Sequence, residues 1–115
     1  MKNFAEFAII GNVGSVKKLN GATRISIASN YRRKTEDGTW TDDTHWNHVV
    51  VFSDATRKFI DEQVAKGSLI VARGRVRQST YEKDGEKRYG VDLICNDFGL
   101  LSAKQPKTEE LPEAA

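Results

Sequence analysis

Cysteine occurs once in these 115 residues, at Cys95, which excludes an internal disulfide and a thiolate metal cluster within one chain. A reducing interior suits it best. No apolar run approaches the length that crosses a bilayer. The opening M-K-N-F-A-E-F-A-I-I-G-N carries an acid inside its apolar stretch and lacks a signal-cleavage pattern. These absences predict a cytoplasmic protein with no membrane partner. An excess of one charge is also missing: the formal charge is +2 and the pI about 8.7, too mild to indicate nucleic acid by itself. Its distribution says more, because residues 66–88 hold seven Lys or Arg against three acids, while the last thirteen hold two Lys against three Glu.

Catalytic signatures are absent too. There is no nucleophile elbow, phosphate-cradling glycine loop or zinc-deaminase pattern. His45 and His48, with Asp42 and Asp43 nearby, look like a metal pair, but a three-residue offset on a strand throws the two side chains to opposite faces. Cys95 has no convincing base partner and reads as a buried small apolar residue. The chain is expected to be no enzyme and to use no metal or cofactor.

What the chain does contain is strands. Residues 44–52 read T-H-W-N-H-V-V-V-F. Extended, this stretch puts Trp46, His48, Val50 and Phe52 on one face and Asn47, Val49 and Val51 on the other. The second face can bury. The first is more aromatic than a solvated strand normally is, and it predicts a platform on which unpaired bases stack.

Around that strand the pattern is regular. Residues 4–13 form a first strand, bending at Gly11, Asn12 and Gly14 and able to continue through 15–19. Asn20-Gly21 is a hairpin signal leading into residues 24–30, with Ile25 and Ile27 inward and Arg24, Ser26 and Ala28 outward. Residues 31–43 are polar, with Arg32, Arg33 and Lys34 in a row, a turn tip at Asp37-Gly38, and Trp40 isolated among hydrophilic neighbours. Trp40 either packs back on the barrel or lines a ligand groove.

Residues 53–66 change to helical spacing, with Ala55, Phe59, Ile60 and Val64 on a stripe, Ser53 or Asp54 as the cap, Gly67 as the left-handed stop and Phe59 as a core plug. Residues 68–81 alternate again. Ile70, Ala72 and Val76 point inward and Arg73, Arg75, Arg77, Ser79 and Tyr81 outward, with Gly74 where a barrel strand must coil. A tip at residues 83–86 leads into 87–95, whose Tyr89, Val91, Leu93 and Cys95 share a face, and Phe98, Leu100 and Leu101 close the domain. Residues 1–102 therefore make one domain and 103–115 a short, mildly acidic, disordered tail.

Five strands with one helix between the third and fourth is the order of an oligonucleotide-binding (OB-fold) barrel in the mainly β class. Arginines at two-residue spacing that end in Tyr81 fit a phosphate backbone followed without sequence readout. The competing reading is an ordinary solvated face, which leaves the outward Trp46 and Phe52 unexplained.

Together these segments resemble the bacterial single-stranded DNA-binding protein family, in the short form carried by phages, plasmids and other mobile elements. The carriers are I-I-G-N-V-G at residues 9–14, I-S-I-A-S at 25–29, W-N-H-V-V-V-F at 46–52, K-G-S-L-I-V-A-R-G-R-V-R at 66–77 and Y-E-K-D-G-E-K-R-Y at 81–89. The resemblance implies a barrel that binds single-stranded DNA without catalysis, usually as a homotetramer. It carries base stacking over to Trp46, Phe52 and Tyr81, and backbone contacts to Arg75, Arg77 and, more weakly, Arg73. His48 stands where the motif often has Arg, so this position is cationic only when the imidazole is protonated. Asn47 falls at a family subunit-interface position. Tyr31 is the nearest match to a loop aromatic, and Trp40, Arg32, Arg33 and Lys66 complete the expected DNA-binding set. Longer family members end in an acidic tip closed by a Pro-Phe pair that docks replication and repair enzymes. This chain ends E-E-L-P-E-A-A, so that docking is not carried over. An RNA-preferring barrel and a primosome-type protein-interaction module are the alternatives.

Overall fold

The computed structural model describes residues 3–103. The order is β1 (Glu6–Leu19), β2 (Ala22–Lys34), β3 (Trp40–Val51), α1 (Asp54–Gln63), β4 (Leu69–Lys83) and β5 (Glu86–Ser102). The strands close into a barrel in the order β1-β2-β3-β5-β4, all pairs antiparallel except β3 with β5. This is the mainly β OB fold expected above. The disordered tail expected from residue 103 lies, from 104 on, outside the described residues, as does the E-E-L-P-E-A-A ending. No helix among the described residues is long and apolar enough to cross a membrane.

Inward positions build the core. Ile9, Val13, Ile25, Ile27, Val49, Val51, Ile60, Ile70, Ala72 and Cys95 form one buried cluster, drawn from every strand and from α1. Each strand supplies alternate residues because its pleat sends the others outward. α1 starts where the Ser53 hydroxyl accepts from the Thr56 N–H, and it lies beside the β1–β2 turn, where Lys18 pairs with Asp61 at 2.6 Å.

Two features make the barrel closure possible. β1 shifts register between Val13 and Ser15, so it pairs with β4 over its first half and β2 over its second. β4 shifts against β5 between Arg73 and Gly74, where the β5 backbone comes so close that a Cβ on Gly74 would collide with the Ile94 carbonyl. The bend expected near Gly14 and the coiling point at Gly74 are both present.

Several expectations need correction. The segment 31–43, read as a polar loop, is largely strand: β2 and β3 stay paired out to Lys34 and Trp40, and only residues 35–39 turn. Neither face of that arm is buried, so the apolar alternation that marks a strand is missing. β5 also runs on to Ser102. Phe59 is not a core plug; it is 38% exposed and meets Phe98 edge-on at 6.4 Å, whereas its neighbour Ile60 enters the core. Gly67 has φ +94 but does not stop the helix, which ends at Val64 in extended backbone. Ser26 and Ala28 face outward yet are buried, because other side chains and the neighbouring strand cover that part of β2.

Candidate nucleic-acid interface

The register of the ladders fixes which outward side chains are neighbours. At the seam where β3 meets β5, Arg24 pairs with Val50, Val50 with Ile94, and Ile94 with Arg75. Paired residues share a face, so one row runs Arg24, Val50, Ile94, Arg75 across four strands, and β1 flanks it with Lys17 beside Arg24 and Glu6 beside Arg75. Ile94 is 4% exposed but stands apart from the core cluster. It forms an apolar floor on the outside of the barrel.

Aromatic side chains flank that row along β3. Trp46 and His48 precede Val50 on the same face, and Phe52 takes the next outward position just past the strand. Phe52 is 51% exposed and Trp46 half-buried, so neither ring is sealed in the interior. The indole of Trp46 reaches across β2 to Gly14 on β1, where a Cβ would collide with its Cζ3 and Cη2 atoms. Beneath it the Ser15 and Ser26 hydroxyls meet at 2.8 Å.

On the other side of β5, the outward row of β4 runs Leu69, Val71, Arg73, Arg75, Arg77, Ser79, Tyr81. Tyr81 is 52% exposed and pairs with Arg88 in the β4–β5 hairpin, whose two-residue turn has positive φ at both Asp84 and Gly85. Arg77 is not a lone cation, because its guanidinium donates to Asp92 on β5 at 3.1 Å. Arg88 similarly approaches Glu86 at 3.4 Å. Arg73 lies beside Ala8 of β1, at the margin of the row.

The β2–β3 arm divides the remaining candidates between its two faces. Arg32 and Trp40 share the Trp46 face, with the guanidinium 5.8 Å from the Trp40 ring centroid. Trp40 is 57% exposed and far from the core, which removes the packed-back reading offered above. Tyr31, Arg33 and Asn47 fall on the opposite face. There Tyr31 meets His45 edge-on at 5.3 Å, and His45 lies 3.0 Å from the Asp43 carboxylate. The arm's tip is tied by Asp37, which accepts from both Thr35 and Thr39; those bonds hold its carboxyl down at about pKa 2.

Lys66 is exposed in the loop after α1. That loop is bonded to the β1 bulge: Gly67 N–H donates to the Val13 carbonyl at 2.8 Å, and Val13 N–H to that of Ser68 at 2.9 Å. His45 and His48 take opposite faces of β3, and no cluster fit for a metal occurs among the described residues.

Arg24, Ile94 and Arg88 also lie on this face and are not in the DNA-binding set expected from sequence, although Arg24 was expected outward. An apolar residue at an outward position, as at Val50 and Ile94, was the available signal. Its meaning depended on the β3–β5 seam, which joins residues 44 positions apart.

The arrangement offers flat rings, an apolar floor and flanking guanidinium groups. Aromatic rings beside cations are the elements with which sequence-tolerant binders hold single-stranded nucleic acid.

Comparison with known proteins gives the same picture of the fold. The model of the single-strand binding protein family matches residues 4–101. The single-stranded DNA-binding protein of Xanthomonas axonopodis pv. citri is 29% identical over 103 residues, covering 84% of this chain and 57% of that protein. The mitochondrial single-stranded DNA-binding protein RIM1 of Saccharomyces cerevisiae is 30% identical over 106 residues, covering 86% of this chain and 73% of that protein. A crystal structure of Rim1 superposes with a TM-score of 0.70 at 27% identity, covering 90% of this chain and 100% of that one. The chain spans under three fifths of the length of two Xanthomonas relatives, at 57% and 59%.

Proposed function

The chain belongs to the single-strand binding protein family, and from that premise we propose that it binds single-stranded DNA without sequence preference. It coats and protects exposed strands during replication, recombination or repair. The observation that carries the proposal is the continuous outward face from β3 across β5 to β4. Bases stack on Trp46, Phe52 and Tyr81, while Arg73, Arg75 and Arg77 neutralise phosphates, with Arg32, Trp40, His48 and Lys66 extending the path. Tyr31 and Arg33 serve a strand that passes over the edge of the β2–β3 arm.

Magnitudes divide the work. Stacking contributes about 1–3 kcal/mol per base and persists in salt. Phosphate neutralisation contributes mainly through counterion release, with a slope near −0.7 per contact for single strands. A duplex hides its base faces and gives the rings nothing to stack on. The role is non-enzymatic and cytoplasmic.

The same proposal has the protein acting as a homotetramer. Ile10, Val71 and Gly99 are neighbours across β1, β4 and β5, and Ile10 and Leu101 are 62% and 53% exposed, an apolar face that supports self-association. Asn47 lines a groove with Phe7, Ile9 and Leu93 that borders this face, since Ile10 and Val71 line it too, and Asn47 is proposed as a further contact.

Light scattering with and without oligo-dT tests both parts together. The expected result is a mass near four times 12.9 kDa that rises when the oligonucleotide is added. A monomer whose mass ignores oligo-dT would overturn the proposal.

A further inference from the structure

Four glycines among the described residues, Gly21, Gly38, Gly67 and Gly85, have positive φ and are required by their backbone. Gly14 is not one of them. Its lack of a side chain serves another purpose, and the structure supplies it: the space a Cβ would fill is occupied by the far edge of the Trp46 indole, with Ser26 Oγ only 2.9 Å from the same point.

We infer that Gly14 is a positioning residue for nucleic-acid binding: its bare backbone, set in the β1 bulge, is the seat that holds the Trp46 ring ready to receive a base. This inference rests on the stacking role proposed for Trp46.

Three observations make the seat more than incidental packing. First, the ring comes from β3 and crosses β2 to reach β1, so the contact ties its orientation to a strand two positions away in the sheet. Second, the side chains below it are small: Ser15 and Ser26 meet at 2.8 Å, and Ser26 is 1% exposed. Third, the bulge is clamped from behind. Val13 both donates to and accepts from the 67–68 backbone, and the Asn12 amide donates to the Gly67 carbonyl at 3.1 Å. The floor under the indole is therefore held by backbone hydrogen bonds independent of the ring.

A ring fixed before its ligand arrives does not have to be ordered on binding, and that saving appears as affinity. Adding a methyl group at Gly14 pushes the indole off its seat. The backbone there accepts alanine without left-handed strain, so the barrel is expected to survive.

The test is a double-mutant cycle on the full chain, using Gly14→Ala, Trp46→Ala and both together. The readouts are anisotropy with labelled oligo-dT and thermal melting. Gly14→Ala is expected to weaken binding roughly 3- to 10-fold when Trp46 is present and to have little effect when it is absent. Equal losses in both backgrounds, or no loss in the first, would overturn the inference. Failure of the unaltered protein to bind oligo-dT would instead overturn the functional reading.

A second readout needs no nucleic acid. In a Trp40→Phe background the remaining indole is expected to emit at longer wavelength once Gly14→Ala lifts it into water; unchanged emission counts against the seat. Should Gly14→Ala alone unfold, Gly14→Ala with Trp46→Phe must refold, because a phenyl ring stops short of the positions of Cζ3 and Cη2. A double variant that stays unfolded would contradict the claim.

Discussion

Arg77 on β4 donates to Asp92 on β5 at 3.1 Å, on the face where the neighbouring Arg75 meets the apolar Ile94. Alternate arginines on one strand are thus in different electrostatic states. Arg75 has Glu6 of β1 opposite it in the ladder and the apolar Ile94 on its other side, whereas Arg77 is engaged by Asp92 before a phosphate approaches. The pair is surface-exposed at 51% and 36%, so it stabilises the fold by only about 0–1 kcal/mol.

Replacing Asp92 with Asn should therefore leave melting nearly unchanged while releasing a cation for DNA. Oligo-dT binding is expected to tighten at low salt, and its log–log salt slope to steepen by up to about 0.7. A slope that stays the same or flattens would mean that Asp92 orients Arg77 instead of competing for it.

The Gly74 position is expected to be far less forgiving. A side chain there meets the Ile94 carbonyl, which is backbone and cannot swing aside. Gly74→Ala should cost about 1–3 kcal/mol or more of stability in urea unfolding. A change within experimental error would show that the β4–β5 bulge can relax.

Burial pushes the Cys95 thiol up from its ordinary 9.0 to about 11, with Asp97 adding to the shift and the Arg73 backbone opposing it. The protonated thiol is the form the fold favours. Its contribution to stability is complete below pH 9.0 and is lost as pH rises through about 11. Native protein is expected to resist iodoacetamide at neutral pH and to label once unfolded. Rapid labelling of the native chain would contradict the burial of Cys95.

Much of this architecture was legible because core and surface alternate cleanly. The Ile25 and Ile27 pair, the Val49 and Val51 pair and the row Arg73, Arg75, Arg77, Tyr81 each follow period two, and each takes the expected side. The β2–β3 arm was not legible as strand because its two faces are both wet, and Tyr31 to Asp43 then carries no apolar period. Phe59 misled for a different reason: a helix stripe gives direction to within about a residue, and the adjacent Ile60 fits the barrel end better. The seat at Gly14 and the row Arg24, Val50, Ile94, Arg75 depend on which strands become neighbours. No local pattern encodes that.

The central claim is that rings on β3 bind unpaired bases while the arginines supply a salt-sensitive background. Anisotropy titration in high salt, with labelled oligo-dT and a duplex of equal length, tests it most directly when the native chain is compared with Trp46→Ala plus Phe52→Ala. The account expects native protein to hold the single strand and release the duplex, and the double variant to lose roughly 1–3 kcal/mol for each base that no longer stacks. Equal affinity for duplex and single strand, or native affinity in the double variant, would contradict it.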